Sequence, residues 1–250
     1  ELMFSTILKE AQAVCSKLIL RCDKRLIPLF ERSFSGNIRF VAGKEPVPET
    51  EYDYQLPIGS LPRLFRKSLE CFQQGAGAFL QPDPDRVKHL RDKLRASSQQ
   101  PICGISWRGG KKGADRSRSI DLALLAKTLS DSNQTLVSLQ YDATDAELQA
   151  LERNHGIKVR TIPEVDNFHD LDGLAALISA CDNIVSVANA TVHLASALGV
   201  HTHVLLSFAP EWRWGRESRS SYWYNAPTLY RQNKINDWTN VIEQLKPALA

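Results

Sequence analysis

Two short stretches carry the residue types that phosphate chemistry needs. The first, Ala188-Asn189-Ala190-Thr191-Val192-His193, sets small and polar residues between the β-branched run Asn183–Val187 and a helix predicted over residues 193–198. If the run is a strand, its carboxyl end lies where an open α/β sheet binds ligands, and the free N–H groups of the next helix favour an anion such as a pyrophosphate. The plainer reading is that Asn189 and Thr191 cap that helix. The second stretch, residues 108–119, follows a predicted strand over 102–107 and holds three glycines and five basic residues. Such a composition can bring backbone amides and cations onto phosphate oxygens. It contains neither GxxxxGK[ST] nor GxGxxG, so the P-loop and dinucleotide fingerprints are absent, and a solvated basic loop is the plain alternative.

The elements that must position these loops alternate. Leu174, Leu177, Ile178 and Cys181 fall at helical spacing ahead of the 183–187 strand, and residues 204–206 form another buried strand. Before them come a helix over 120–129, a strand over 135–139 ending at Gln140, a helix over 145–154 closed by His155-Gly156, and a strand over 159–162. Four or five strand–helix units in about 110 residues predict a Rossmann-like domain with a parallel sheet. The acidic loop around Asp166, Asp170 and Asp172 reads as caps and solvated charge, and no two acids stand out as a pair for glycoside hydrolysis.

The first part of the chain follows a similar alternation. Leu2, Ile7, Leu8, Ala11 and Val14 share a helical face, residues 17–22 and 38–42 read as strands, and Asp23 caps a helix over 25–34. No strand precedes Leu2, which predicts a domain lacking its first strand. Residues 43–62 turn rich in Pro, Glu, Tyr and Gly, with a short strand placed at 54–57. A helix over 61–71, an extended stretch over 78–84 and a charged helix over 85–96 follow. Ser97-Ser98-Gln99-Gln100-Pro101 is polar, short and ended by proline, and it divides the chain into domains 1–98 and 99–250. Aromatic residues concentrate after Phe208, in Trp212, Trp214, Tyr222, Trp223, Tyr224 and Tyr230, and Asn236-Asp237-Trp238 caps a last helix over 239–249.

Composition narrows the function classes. A net charge of +3 over 250 residues is too small to argue for nucleic acid. No apolar run approaches the roughly 20 residues of a bilayer span, and the start ELMFSTILKEAQ has neither a basic region nor a cleavage site, so a cytoplasmic protein without a membrane span is expected. The five cysteines lack CxxC spacing and read as buried reduced thiols, with no zinc site or disulfide framework indicated.

Taken together, SWRGG after a strand, SLQ ending another, SVANATVHLASALGV, FAPEWRWG, SYWY, LYRQ and DW resemble the C-terminal half of bacterial GT-B glycosyltransferases of the heptosyltransferase-like family nine. The match is closest to the subgroup found behind tetratricopeptide repeats. RCDKRLIPLFERSF, SLPRLF and FLQPDPDRV extend the resemblance over nearly the whole chain. It implies two Rossmann-like domains of GT-B type, with a nucleotide-diphosphate sugar held chiefly on the C-terminal one and no bound metal or cofactor. It also implies that Asn189, Ala190, Thr191 and His193 line the diphosphate and sugar, with His193 opening the helix, that Trp107, Arg108 and Gly109 face them, and that Gln140 sits near the nucleoside. Two departures stand out: Ala188 replaces an aspartate common in the family, and the Gly-Asp pair that supplies the general base would precede Glu1.

A leaving diphosphate gains negative charge as the glycosidic bond breaks, so fixed N–H donors and an arginine stabilise the transition state more than the substrate. Arg108 is the first candidate, with Arg118, Arg116 and Lys112 behind it, and His193 is its catalytic partner. Phe208, Trp212 and Trp214 are candidates for the nucleotide-sugar wall, either stacking on base or sugar or serving as packing. Three functions fit: a transferase acting on a glycan, lipid or protein acceptor, a binding module for nucleotide sugar or glycan without turnover, and a protein-interaction domain whose aromatic tail is the contact.

Overall fold

The computed structural model describes residues 1–73, 77–96, 99–109 and 116–249, without the side chains of Gln73 and Arg116. In the first part, α1 (Leu8–Ala13) precedes β1 (Leu18–Cys22), and α2 (Ile27–Ser33) leads to β2 (Ile38–Ala42), which pairs with β1 in parallel. Asp23 accepts from the Arg25 amide at 2.9 Å and starts this second helical segment, as predicted. Two short helices, α3 (Pro62–Phe65) and α4 (Glu70–Gln73), stand where one helix over 61–71 was expected, because Arg66 leaves helical geometry at φ −127°, ψ 55°. Residues 54–57 form no strand: Tyr54 is 91% exposed, and no apolar face is there for a strand to bury. The charged helix α5 (Pro84–Arg95) is capped by Asp83, which takes the amides of Asp85 and Arg86.

The second part builds a six-stranded sheet from β3 (Ile102–Ser106), β4 (Thr135–Ser138), β5 (Val159–Arg160), β6 (Asn183–Val187), β7 (Thr202–Leu206) and β8 (Pro227–Arg231). Its order is β5-β4-β3-β6-β7-β8, and every neighbouring pair is parallel. The α/β class with parallel sheets is therefore as expected. Helices α6 (Leu122–Ser130), α7 (Asp145–His155), α8 (Leu171–Ala180), α9 (Ala190–Ala197) and α10 (Thr239–Leu245) cover the faces. β3, β4 and β7 are buried throughout, the pattern of a parallel sheet covered on both sides. Helix α9 begins at Ala190, three residues ahead of the predicted start, and Asn189 caps it, as the plainer reading of the sequence has it. Strand β8 was not predicted, because its opening proline and its aromatic content read as loop.

One core packs α6, α7 and α10 on one face of the sheet, through Leu125, Leu129, Leu148, Val241 and Leu245. The opposite core joins α8 and α9 to the first part, so that Leu174, Ile178 and Leu194 share a cluster with Leu8, Phe30, Leu90 and Leu94. Among the described residues all five cysteines are free, and burial raises Cys22 and Cys181 to about 12, which keeps them protonated and inert. No described helix is long and apolar enough to cross a membrane.

Arginines of the first part reach across to the second. Arg25 donates to the Phe168 carbonyl at 2.7 Å, Arg32 holds Asp172 at 2.7 and 3.0 Å, and Arg86 holds Asp170. Arg91 and Arg95 grip the two oxygens of Asp182 at 2.6 and 2.7 Å, while the Ile102 amide donates to the same carboxylate at 2.7 Å. Asp166 and Asp170 do cap backbone amides as the sequence predicts, but Asp170 and Asp172 are paired rather than merely solvated.

Burial pushes the Asp182 carboxyl up, and the Ile102 amide and Arg91 more than reverse this, leaving it below its usual value. A depressed folded value stabilises the fold above the unfolded value near 3.9, and that contribution is lost as pH falls through the folded value. Asp182→Asn is accordingly expected to cost about 2 kcal/mol at pH 7 and progressively less below pH 4. Urea titrations at pH 7 and pH 3 check this, and an equal cost at both would contradict it.

Candidate functional site

The sheet order is that of a Rossmann domain, in which β4 continues to one side of β3 while β6 and β7 continue to the other. The crevice at this reversal lies beyond the carboxyl ends of β3 and β6, the two strands whose exit loops the sequence singled out. These loops touch. A Cβ added to Gly109 would lie 3.2 Å from the Ala188 carbonyl oxygen, a tight contact that glycine avoids. Asn189 rivets the two loops together, its amide nitrogen donating to Ser106 Oγ at 2.7 Å and to the Arg108 carbonyl at 3.1 Å. Its oxygen accepts from the Thr191 amide at 2.9 Å, so one side chain both caps α9 and joins it to β3.

Gln140 extends this network to β4. Its buried oxygen accepts from Ser106 Oγ and from the amides of Trp107 and Arg108 at 2.9 to 3.0 Å, and its nitrogen donates to Asp142 at 2.8 Å. Asn167 carries the chain on, donating to the Ser138 carbonyl at 3.2 Å. Gln140 thus shapes the β3 loop from beneath, rather than facing a nucleoside as the resemblance implied.

Arg108 departs most from expectation. Its guanidinium is held by Asp142 Oδ1 at 3.1 and 3.2 Å, by the Asp142 carbonyl at 3.0 Å, and by Glu147. Burial pulls its pKa down, and the hydrogen bonds of Glu147 and Asp142 more than reverse this, so the group stays charged while its charge is spent on two carboxylates. Trp107, 1% exposed, likewise donates its indole N–H to Glu147 at 3.1 Å and packs in the core instead of lining a site.

The available cations stand on the other side of the crevice. Arg118, Ala188, Leu205, Ser207, Pro210 and Glu211 line a small hollow at the carboxyl edge. Glu211 is held there between Arg118 at 2.5 Å and Arg213 at 2.6 Å, two guanidiniums on one carboxylate, so the trio keeps a net positive charge. The Arg213 Nε is buried and has no hydrogen-bond partner among the described residues. Such a donor is costly to leave unmade.

His193 lies on the second turn of α9 and does not open the helix. Its ring stacks on Trp214, centroids 5.0 Å apart and 19° between planes, and its Nδ1 is 3.2 Å from the Tyr224 hydroxyl. Burial, and after it the Arg213 charge, lower its pKa to about 3, so it is neutral. Trp214 is buried as this ring's stacking partner, whereas Trp212 is 68% and Phe208 51% exposed at the rim. Ala190 is exposed and Thr191 buried. Lys112 lies outside the described residues.

The structure therefore brings Gly109, Arg118, Asn189, Ala190 and the rim aromatics to one edge, and it turns the polar groups of Trp107, Arg108 and Gln140 to partners within the protein. Sequence reasoning missed Arg213, Glu211 and Tyr224. All three sit inside FAPEWRWG and SYWY, where the tryptophans drew attention away from the charged and phenolic neighbours.

No family profile matches the chain. Protein FlbA of Caulobacter vibrioides (strain ATCC 19089 / CIP 103742 / CB 15) is 29% identical over 266 aligned residues, covering 100% of this chain and 44% of FlbA. The chain thus spans less than half the length of that curated relative. Among solved structures, the E. coli ADP-heptose lps heptosyltransferase II matches with a TM-score of 0.49 at 19% identity, over 68% of this chain and 53% of that one. The glycosyl transferase family 9 structure from Veillonella parvula DSM 2008 matches with a TM-score of 0.44 at 12% identity, over 61% and 42%.

Proposed function

We propose that this chain binds a nucleotide-diphosphate sugar at the carboxyl edge of its six-stranded sheet and transfers the sugar to an acceptor hydroxyl. The observation that carries the reading is the meeting of the β3 and β6 exit loops at the sheet's reversal, beside the cationic Arg118–Glu211–Arg213 trio. Backbone amides at the start of α9 and these two arginines would take up the charge that develops on the diphosphate as its bond to the anomeric carbon breaks. Trp212 and Phe208 would flank the sugar or base. The family-nine resemblance of VANATVHLASALG and FAPEWRWG points the same way.

Calorimetric titration with UDP-, GDP-, ADP- and CMP-sugars tests the proposal, with saturable binding of one of them expected. Binding with no donor hydrolysis or transfer would leave a nucleotide-sugar binding module. That outcome is favoured to the extent that Arg108 is committed to Asp142 and Glu147. No binding of any of the four would overturn the site and return the aromatic rim to a protein-contact role.

A further inference from the structure

Tyr224 has no part in the reading above, yet it is fixed from several sides. Trp223, its neighbour, packs edge-on against Phe4 at 5.8 Å and Phe72 at 4.9 Å, and its amide donates to Ser221 Oγ at 3.1 Å. The backbone at Tyr224 is thereby pinned over α9. The phenol itself is 1% exposed and belongs to the core that includes Leu194, Ala195 and Ala197.

Among the described residues the only hydrogen-bond partner of the Tyr224 hydroxyl is His193 Nδ1, at 3.2 Å. Were Nδ1 the donor, the phenolic proton would be left buried without an acceptor, which folded proteins avoid. The hydroxyl therefore donates and Nδ1 accepts. A neutral imidazole that accepts at Nδ1 carries its proton on Nε2. Stacking on Trp214 fixes the plane of the same ring, so both its tautomer and its orientation are set by neighbours. His193 is only half-buried, and Nε2 is not among the buried atoms that lack a partner.

We propose that Tyr224 is a positioning residue: it locks His193 in the Nε2–H form, so that a neutral N–H donor, neither an imidazolium nor a base, is presented to an oxygen of the bound nucleotide sugar. The lock is a statement about the free protein; only the identity of the oxygen rests on the transferase reading. Because the imidazole stays neutral down to about pH 3, its donor does not titrate across the physiological range.

Long-range proton–nitrogen spectra of the histidine-labelled full chain, with His193 assigned through His193→Gln, read the tautomer directly. The expected result is an Nε2–H pattern unchanged between pH 5 and pH 8, and, in Tyr224→Phe, collapse toward a mixture of the two neutral forms. An Nδ1–H pattern, an imidazolium at pH 5, or an unaltered tautomer in a folded Tyr224→Phe would overturn the proposal. The wild-type spectrum alone decides if that variant does not fold. With a nucleotide sugar that binds, Tyr224→Phe is expected to weaken binding about tenfold and His193→Gln, which keeps an N–H donor, to lose less than His193→Ala. An Nε2–H pattern combined with no nucleotide-sugar binding would leave the lock standing and remove the transferase reading.

Discussion

Replacing Arg118 and Arg213 together by alanine is expected to lower nucleotide-sugar affinity by roughly 10²- to 10⁴-fold. Each hydrogen bond from a guanidinium to a charged oxygen contributes about 1.5–3 kcal/mol, and each 1.4 kcal/mol is a decade in affinity. The loss is compounded because Glu211, now held by neither arginine, would face the diphosphate uncompensated. Arg39→Ala, which removes from β2 a cation paired with Glu51 at 2.8 Å, should leave affinity unchanged and controls for the loss of a surface positive charge. Arg108→Ala makes the comparison sharper. If the carboxylates of Asp142 and Glu147 already occupy that guanidinium, its removal weakens binding far less than loss of the pair. Titration calorimetry of the variants decides, and an Arg108→Ala effect equal to that of the double variant would restore the arginine that the sequence favoured.

Gln140→Leu is expected to destabilise the fold by about 3–5 kcal/mol. Leucine nearly matches the volume, so packing is little disturbed, but the oxygen that serves Ser106 Oγ and the Trp107 and Arg108 amides disappears. A buried donor stripped of its acceptor costs about 1–3 kcal/mol, and these three are buried or part-buried together. The Ser106 hydroxyl, unlike the two backbone amides, can rotate its proton toward another acceptor, which holds the total below three full penalties. For a chain of this size the melting temperature should fall by roughly 10 °C. Gln140→Glu keeps the acceptor while setting a second carboxylate against Asp142, so it should lose less than leucine at low pH and approach it at high pH. A Gln140→Leu cost below about 1 kcal/mol, measured by urea denaturation, would show that the network is not what shapes the loop.

The strands were legible because their residues say one thing at every level. Asn183–Val187 is short, β-branched and buried, and the sequence placed its ends where the structure does. Strand β8 was hidden because it opens on Pro227, a residue that fits an edge position without a ladder N–H yet reads as a breaker. The α9 start was misplaced by three residues although Asn189 was read as a cap, because the β-branched Thr191 and Val192 that follow it are weak helix formers and read as loop. The site divided along the same line. Residue type located the crevice through Asn189, Ala190 and Gly109, all close to it in sequence. Whether a cation is free cannot be read from its type: Asp142 and Glu147 neutralise Arg108 from 34 and 39 residues away, whereas Glu211 leaves Arg118 and Arg213 one charge in excess.

Five guanidinium groups of the first part grip Asp170, Asp172, Asp182 and the Phe168 carbonyl of the second, and swinging the parts open would break every one of those contacts at once. A ligand reaching the carboxyl edge would therefore meet the two parts already joined, with no hinge to close. Solvent viscosity, which slows whole-body hinging, should leave the association rate close to its dilute-solution dependence on diffusion alone.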